Sequence, residues 1–159
     1  MKIAPLWRSL QHQRERFDAA IVHTGQHYDD SMSEVFLRQF GLPTPHYRFQ
    51  SRAESHAGQT ASIMVDYEKV CLDDRPDWVV VVGDVNSTVA ASLVAKKLNL
   101  PLAHLEAGLR SFDRTMPEEI NRILTDQISV PRRYVENLVL DGLARIAFSE
   151  RKAPARTAR

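Results

Sequence analysis

The chain has 159 residues, 43% hydrophobic and 26% charged, with a formal net charge of +1. That is the make-up of one ordinary globular domain, and it excludes a global field that would draw the protein to nucleic acid or a membrane surface. Its single cysteine, Cys71, excludes an internal disulfide framework and falls in a helical pattern as a buried structural thiol. No apolar run approaches the roughly 20 residues that span a bilayer, and no signal-peptide core opens the chain, so a cytoplasmic location is the default.

Taken in order, Ile3, Leu6 and Leu10 fall at helical spacing, with Pro5 suited to a first turn. Residues 17–24 (FDAAIVHT) are the first strand candidate, followed by a turn at Gly25-Gln26-His27-Tyr28. Residues 32–40 predict a helix that Gly41 ends at its C′ position. A connection follows, with a short strand around residues 47–49. Residues 57–72 are the longest helical pattern, with a stripe of Ala61, Met64, Val65, Glu68 and Leu72 that Glu68 interrupts. Residues 77–82 predict a strand, and its four valines suit a sheet covered on both faces. Residues 88–98 predict a helix facing inward through Val89, Leu93 and Val94, and Asn99-Leu100-Pro101 stops it. Residues 102–106 are the next strand. Residues 117–129 are a further helix, with Pro117 at N1, Glu118 and Glu119 in the first turn, and an apolar face of Ile120, Ile123, Leu124 and Ile128. Residues 135–148 read as one more helix and residues 149–159 as a basic, disordered tail. Strands alternating with helices predict an α/β fold with a parallel sheet and right-handed crossovers.

The chemistry concentrates in residues 79–122. Two strands each end on an acidic residue, Asp84 and Glu106. In an open α/β sheet the carboxyl edge of the strands is where ligands bind. A carboxylate there moves protons or holds a ligand; the plainer role for Asp84 is a cap on nearby amides. Asn86 and Ser87 open a helix, which suits an anion or sugar site or simple N-capping. Glu118 and Glu119 point about 100° apart on a helix, so one can face a cleft while the other serves only the dipole. Arg110 follows Gly108 and suits a phosphate, a carboxylate or a surface salt bridge. His104 alternates with Glu106 if their strand is regular. Gln26 and His27 lie at the same sheet edge. No HxH or HExxH spacing argues for a metal, and no P-loop or GxGxxG is present.

TGQHYD (24–29), GDVNST (83–88), HLEAGLRSFDRTMPEEINRILTD (104–126) and KIAPL (2–6) resemble the non-hydrolysing UDP-N-acetylglucosamine 2-epimerases over most of residues 2–129. The resemblance implies a Rossmann-like parallel sheet with flanking helices, one half of a GT-B-like two-domain fold. It implies interconversion of UDP-N-acetylglucosamine and UDP-N-acetylmannosamine for surface polysaccharides, with no cofactor and no nucleic-acid or membrane partner. A base removes the C2 proton as UDP leaves C1, and UDP adds back with the proton delivered to the other face. Lys2, Asp84, Glu106 and Glu118 match the family's critical positions, with no carboxylate singled out as the C2 base. Gln26, His27, Asn86, Ser87, Arg110, Asn121 and Arg122 are the implied substrate contacts. Val82 stands where several relatives have histidine.

The family opens on a strand and a loop before the lysine, and its members run to well over 300 residues. Residues 1–129 are therefore expected to form an incomplete N-terminal domain that lacks a central strand, residues 130–159 a divergent tail, and the isolated chain a weak or inactive enzyme. The resemblance implies a homodimer. The rival readings are a non-catalytic module pairing with a full-length paralogue, and a hydrolysing epimerase.

Overall fold

The described residues form eight elements in the order α1 (Ile3–Gln11), β1 (Val22–His23), β2 (Tyr47–Arg48), α2 (His56–Asp73), β3 (Val79–Val82), α3 (Asn86–Lys97), β4 (Leu102–Leu105) and α4 (Pro117–Ile128). The computed structural model describes residues 3–25, 35, 37–50 and 53–129. The expectations for the 26–34 segment and for residues 130–159, including the helix at 135–148 and the tail, lie outside these residues.

The helices start and stop where local chemistry dictates. Ser55 caps α2, its hydroxyl accepting the Gly58 amide at 3.0 Å. The turn after residues 37–39 closes as predicted: Gly41 has φ +66°, the Leu42 amide donates to Leu37 O and the Gly41 amide to Arg38 O. Asn99, at φ +56°, ends α3 in the same way, with the Leu100 amide on Ala95 O.

The strands form two parallel pairs, β1 with β2 and β3 with β4, in place of one continuous sheet among the described residues. The pairs share one apolar cluster: Phe49, Tyr67, Cys71, Val79, Val81, Val94, Leu100 and Leu102, with Val22 and Tyr47 against it. Ile21, one residue from Val22, enters a second cluster with Ala4 and Trp7 of α1 and with Leu37 and Leu42. Successive residues of an extended chain point to opposite faces, so helices lie on both sides of the strands and the parallel α/β architecture is present.

Three packing expectations are corrected. Val79 and Val81 are buried but Val80 and Val82 only half so; among the described residues one face of β3 is closed, not both. The buried stripe of α2 is Ile63, Tyr67 and Cys71 at i, i+4 and i+8, whereas Val65 and Leu72 are exposed. The helix has apolar residues on two faces, and the one that meets α3 and β3 wins. The buried residues of α4 are Glu119, Asn121 and Thr125, while Ile120 and Leu124 of its expected apolar face are exposed. α3 lies between these two helices. Its buried Ala90, Ser92 and Ala95 are small enough to let both approach.

Candidate active site

β3 and β4 run parallel in a register that pairs Val79 with Leu102 and Val82 with Leu105. The Gly83 amide extends the ladder to Leu105 O at 3.2 Å. Asp84 and Glu106 therefore leave neighbouring strands at the same carboxyl edge, as the sequence predicted. Gly83 has φ +74°, a conformation that glycine adopts without strain. A Cβ at Gly83 would stand 3.8 Å from Glu106 Oε2, so the Glu106 carboxylate lies beside that turn. Glu106 itself has φ +78°. β4 ends at Leu105, and the expected alternation of His104 with Glu106 breaks there. A left-handed backbone at a non-glycine residue is held by its surroundings, and such outliers cluster at functional sites.

The first turn of α4 completes this edge. Arg122 bridges two carboxylates, with Nη2 at 2.5 Å from Asp84 Oδ2 and Nη1 at 2.9 Å from Glu119 Oε2. Glu119 is 1% exposed. It also accepts the Ser111 amide at 3.0 Å and the Phe112 amide at 3.2 Å. These donors, the Ser111 amide foremost, overcome the opposing effect of burial and, with Arg122, lower the Glu119 carboxyl to about 2. Glu119 thus fixes the loop between β4 and α4. That loop holds Phe112 at φ +62° and 90% exposed. Of the adjacent pair, Glu119 is the anchored residue. Glu118 is half-buried and makes no side-chain hydrogen bond or ion pair among the described residues, which leaves its carboxylate available.

Asn86 and Ser87 do not cap α3. The N-cap is Val85, without a side-chain cap bond. Asn86 is the first helical residue, buried, its Nδ2 donating to Gln59 Oε1 at 2.7 Å and lying 3.0 Å from His56 Nδ1. Asn121 Nδ2 donates to Asp84 O at 3.0 Å and reaches Asn86 Oδ1 at 3.3 Å. Asn121 is therefore a brace from α4 to the Asp84 turn. His56, Asn86 and Asn121 line an open cavity of about 400 Å³ between the starts of α2, α3 and α4. Ser87 is half-buried beside them.

Arg110 points elsewhere. Its Nη1 donates to Asp126 Oδ2 at 2.6 Å, and Asp126 Oδ2 also accepts the Gly108 amide at 2.9 Å. Burial pushes the Asp126 carboxyl up, but the Gly108 amide, Arg110 and His104 outweigh it and hold the group below its ordinary value. Arg110 also lines a second cleft of about 310 Å³ with Phe112, Arg114 and Gln127.

The structure thus brings together Asp84, Glu106, Asn86, Asn121 and Arg122, with Glu118 on the first turn of the same helix. Arg110 sits apart on Asp126, and Lys2, Gln26 and His27 lie outside the described residues. Glu119, Asp126 and His56 are among the polar residues of this edge that sequence reasoning did not single out as site residues. A signal for two of them was present: Glu119, Arg122 and Asp126 recur at i, i+3 and i+7, a polar stripe at helical spacing. Among the described residues no three His, Cys, Asp or Glu are grouped to hold a metal, and no helix is long and apolar enough to cross a membrane.

The sequence matches the model of the UDP-N-acetylglucosamine 2-epimerase family over residues 9–139. It is 43% identical to a UDP-N-acetylglucosamine 2-epimerase of Methanocaldococcus jannaschii over 152 residues, 96% of this chain and 41% of that protein. It is 46% identical to the UDP-2,3-diacetamido-2,3-dideoxy-D-glucuronate 2-epimerase of Pseudomonas aeruginosa over 141 residues, 89% of this chain and 40% of that one. The crystal structure of a Methanocaldococcus jannaschii UDP-GlcNAc 2-epimerase in complex with UDP-GlcNAc and UDP superposes with a TM-score of 0.76 at 44% identity, covering 89% of this chain and 40% of that one. The chain spans about two-fifths of the length of these relatives.

Proposed function

The chain belongs to the UDP-N-acetylglucosamine 2-epimerase family, and from that premise we propose that its β3–β4 edge works on a UDP-linked 2-acetamido sugar, epimerising it at C2. Its fold is the α/β, Rossmann-like half of a GT-B-type epimerase. The observation that carries the reading is the placement of Asp84 and Glu106 at adjacent strand ends, with Arg122 braced between Asp84 and Glu119. One carboxylate takes the C2 proton while the C1–O bond to UDP breaks, leaving a C1–C2 double bond. UDP then re-forms the C1–O bond as a proton is delivered to the opposite face of C2. No atom is gained or lost, and no oxidant is required. Glu118 supplies a third carboxylate, Asn86, Ser87, Asn121 and Arg122 the polar contacts, and Lys2, Gln26, His27 and Arg110 the remaining positions of the family pattern.

UDP-N-acetylglucosamine is the substrate we favour. The 46% identity to an enzyme named for a diacetamido uronate makes that sugar the second reading. The test is incorporation of solvent deuterium at C2, followed by NMR, with each sugar in turn. Incorporation that D84N and E106Q both abolish supports the assignment; incorporation untouched by either overturns it. The isolated 159-residue chain, covering two-fifths of its relatives, is expected to exchange weakly or not at all.

The partner we favour is a second copy of the chain. Val65 and Leu72 of α2 and Leu124 of α4 are exposed apolar side chains outside the lining of the cavity that holds Asn86 and Asn121. Sedimentation velocity checks this: a dimer that L72K with L124K converts to a monomer is expected, and a wild-type monomer overturns it.

A further inference from the structure

His104 is 1% exposed, and both of its ring nitrogens meet oxygen. Nε2 lies 2.7 Å from the carbonyl oxygen of Gly83, and Nδ1 lies 2.6 Å from Asp126 Oδ1. The carbonyl can only accept, so Nε2 carries a hydrogen. A neutral imidazole has no second N–H to give to Asp126. The proton on the Nδ1–Oδ1 contact therefore belongs either to the ring or to the carboxyl. The other oxygen of Asp126 decides between them. Oδ2 accepts both the Gly108 amide at 2.9 Å and Arg110 Nη1 at 2.6 Å, an arrangement that favours the ionised carboxylate. The charged groups around the ring are Asp126 from α4 and Arg110 from the loop after β4, while the end of β3 contributes a carbonyl.

We propose that His104 is a positioning residue for this site: a buried imidazolium that ties the turn carrying Asp84 and the turn carrying Glu106 to α4 through Asp126. One hand of the bridge holds Gly83, the residue before Asp84. The other holds Asp126, which in turn holds Gly108, two residues after Glu106. Gly83, Glu106 and Gly108 have φ of +74°, +78° and +85°. Glu106, the non-glycine of the three, needs a surrounding structure that over-determines it, and the imidazolium–carboxylate pair supplies it by holding Gly83 O and the Gly108 amide. The proposal rests on the reading of Asp84 and Glu106 as the working carboxylates.

The decisive measurement needs no substitution. In uniformly ¹⁵N-labelled protein at neutral pH, both ring nitrogens of His104 are expected to carry a bonded hydrogen. A single N–H, with the other nitrogen showing a free lone pair, overturns the imidazolium. In D126N the ring is expected to fall back to one N–H, and the Gly108 amide, which donates to Asp126 Oδ2, to exchange with solvent faster; an unchanged Gly108 amide overturns the bridge. In an active preparation D126N is expected to lower kcat about 10- to 100-fold while KM stays within about 2-fold, the pattern of misplaced reacting groups, and D126E to recover part of the loss. Unchanged kcat in D126N, or a change in KM alone, overturns the positioning role. If D84N and E106Q retain full turnover, the catalytic reading fails by itself, and the ring-nitrogen spectrum still decides the state of His104.

Discussion

α2 and α4 flank α3 and both leave apolar side chains in solvent, but they bury different chemistry. α2 buries Ile63, Tyr67 and Cys71 in the cluster that joins the two strand pairs. α4 buries Glu119, Asn121 and Thr125. Polar groups out of water are costly unless hydrogen-bonded, and two of the three meet that condition through the site: Glu119 holds the Ser111 and Phe112 amides and Arg122, and Asn121 holds Asp84 O. The contrast separates a helix whose packing supplies stability from one whose packing supplies geometry. Removing an α2 contact weakens the whole domain, and removing an α4 contact releases particular backbone atoms beside Asp84 and Glu106.

Four predictions can break or sharpen that contrast. The largest effect is on the α2 side. Ile63 is 0% exposed, and I63A is expected to cost about 2–5 kcal/mol in denaturant unfolding. Leu72 is 63% exposed, and L72A is expected to stay within about 0.5 kcal/mol. Equal losses would mean that the two faces of α2 are not distinguished. Next, R122M removes the cation shared by Asp84 and Glu119. Turnover is expected to fall about 100-fold, roughly 2.7 kcal/mol of transition-state stabilisation; wild-type turnover would detach the brace from catalysis.

The third effect concerns pH. Glu119 is held at about 2 and Asp126 below its ordinary value in the folded protein. As pH falls below the ordinary carboxylate range, near about 4, the unfolded chain takes up these protons first. Their contribution is thus complete above that range and lost as pH drops toward 2. E119Q is expected to flatten the stability profile in that window, and an unaltered acid limb would show that the loop anchor contributes nothing. The smallest effect is expected at Thr125, whose Oγ1 is the buried side-chain polar atom without a hydrogen-bond partner among the described residues. T125V is expected to be neutral or stabilising by up to about 1 kcal/mol in thermal unfolding. A clear loss would show that the hydroxyl is engaged after all.

Much of the site was legible because it rests on local rules. The valine run ending at Gly83-Asp84, the strand ending near Glu106, and Pro117 at the start of a helix each follow from backbone sterics and end chemistry within a few residues. Parallel pairing then places Asp84 and Glu106 side by side. The capping role offered for Asn86 was displaced by one residue: Val85 takes the N-cap, and the Asn86 amide is drawn to Gln59 and His56, residues 27 and 30 positions away in sequence but adjacent in space.

The sequence by itself determined where most of the described helices and strands lie, although the strand expected over 17–24 is confined to Val22–His23, and that two carboxylates emerge at one edge of a parallel pair. Tertiary structure alone decided which face of α2 and of α4 turns inward, which of Glu118 and Glu119 anchors a loop, and that His104 meets Asp126. The reason is physical. A residue's backbone preference is set by neighbours a few positions away, but a helix with apolar residues on two faces has two comparable ways to pack. What chooses between them is the total of apolar burial and satisfied amides offered by distant segments, here β3, α3 and the 106–116 loop.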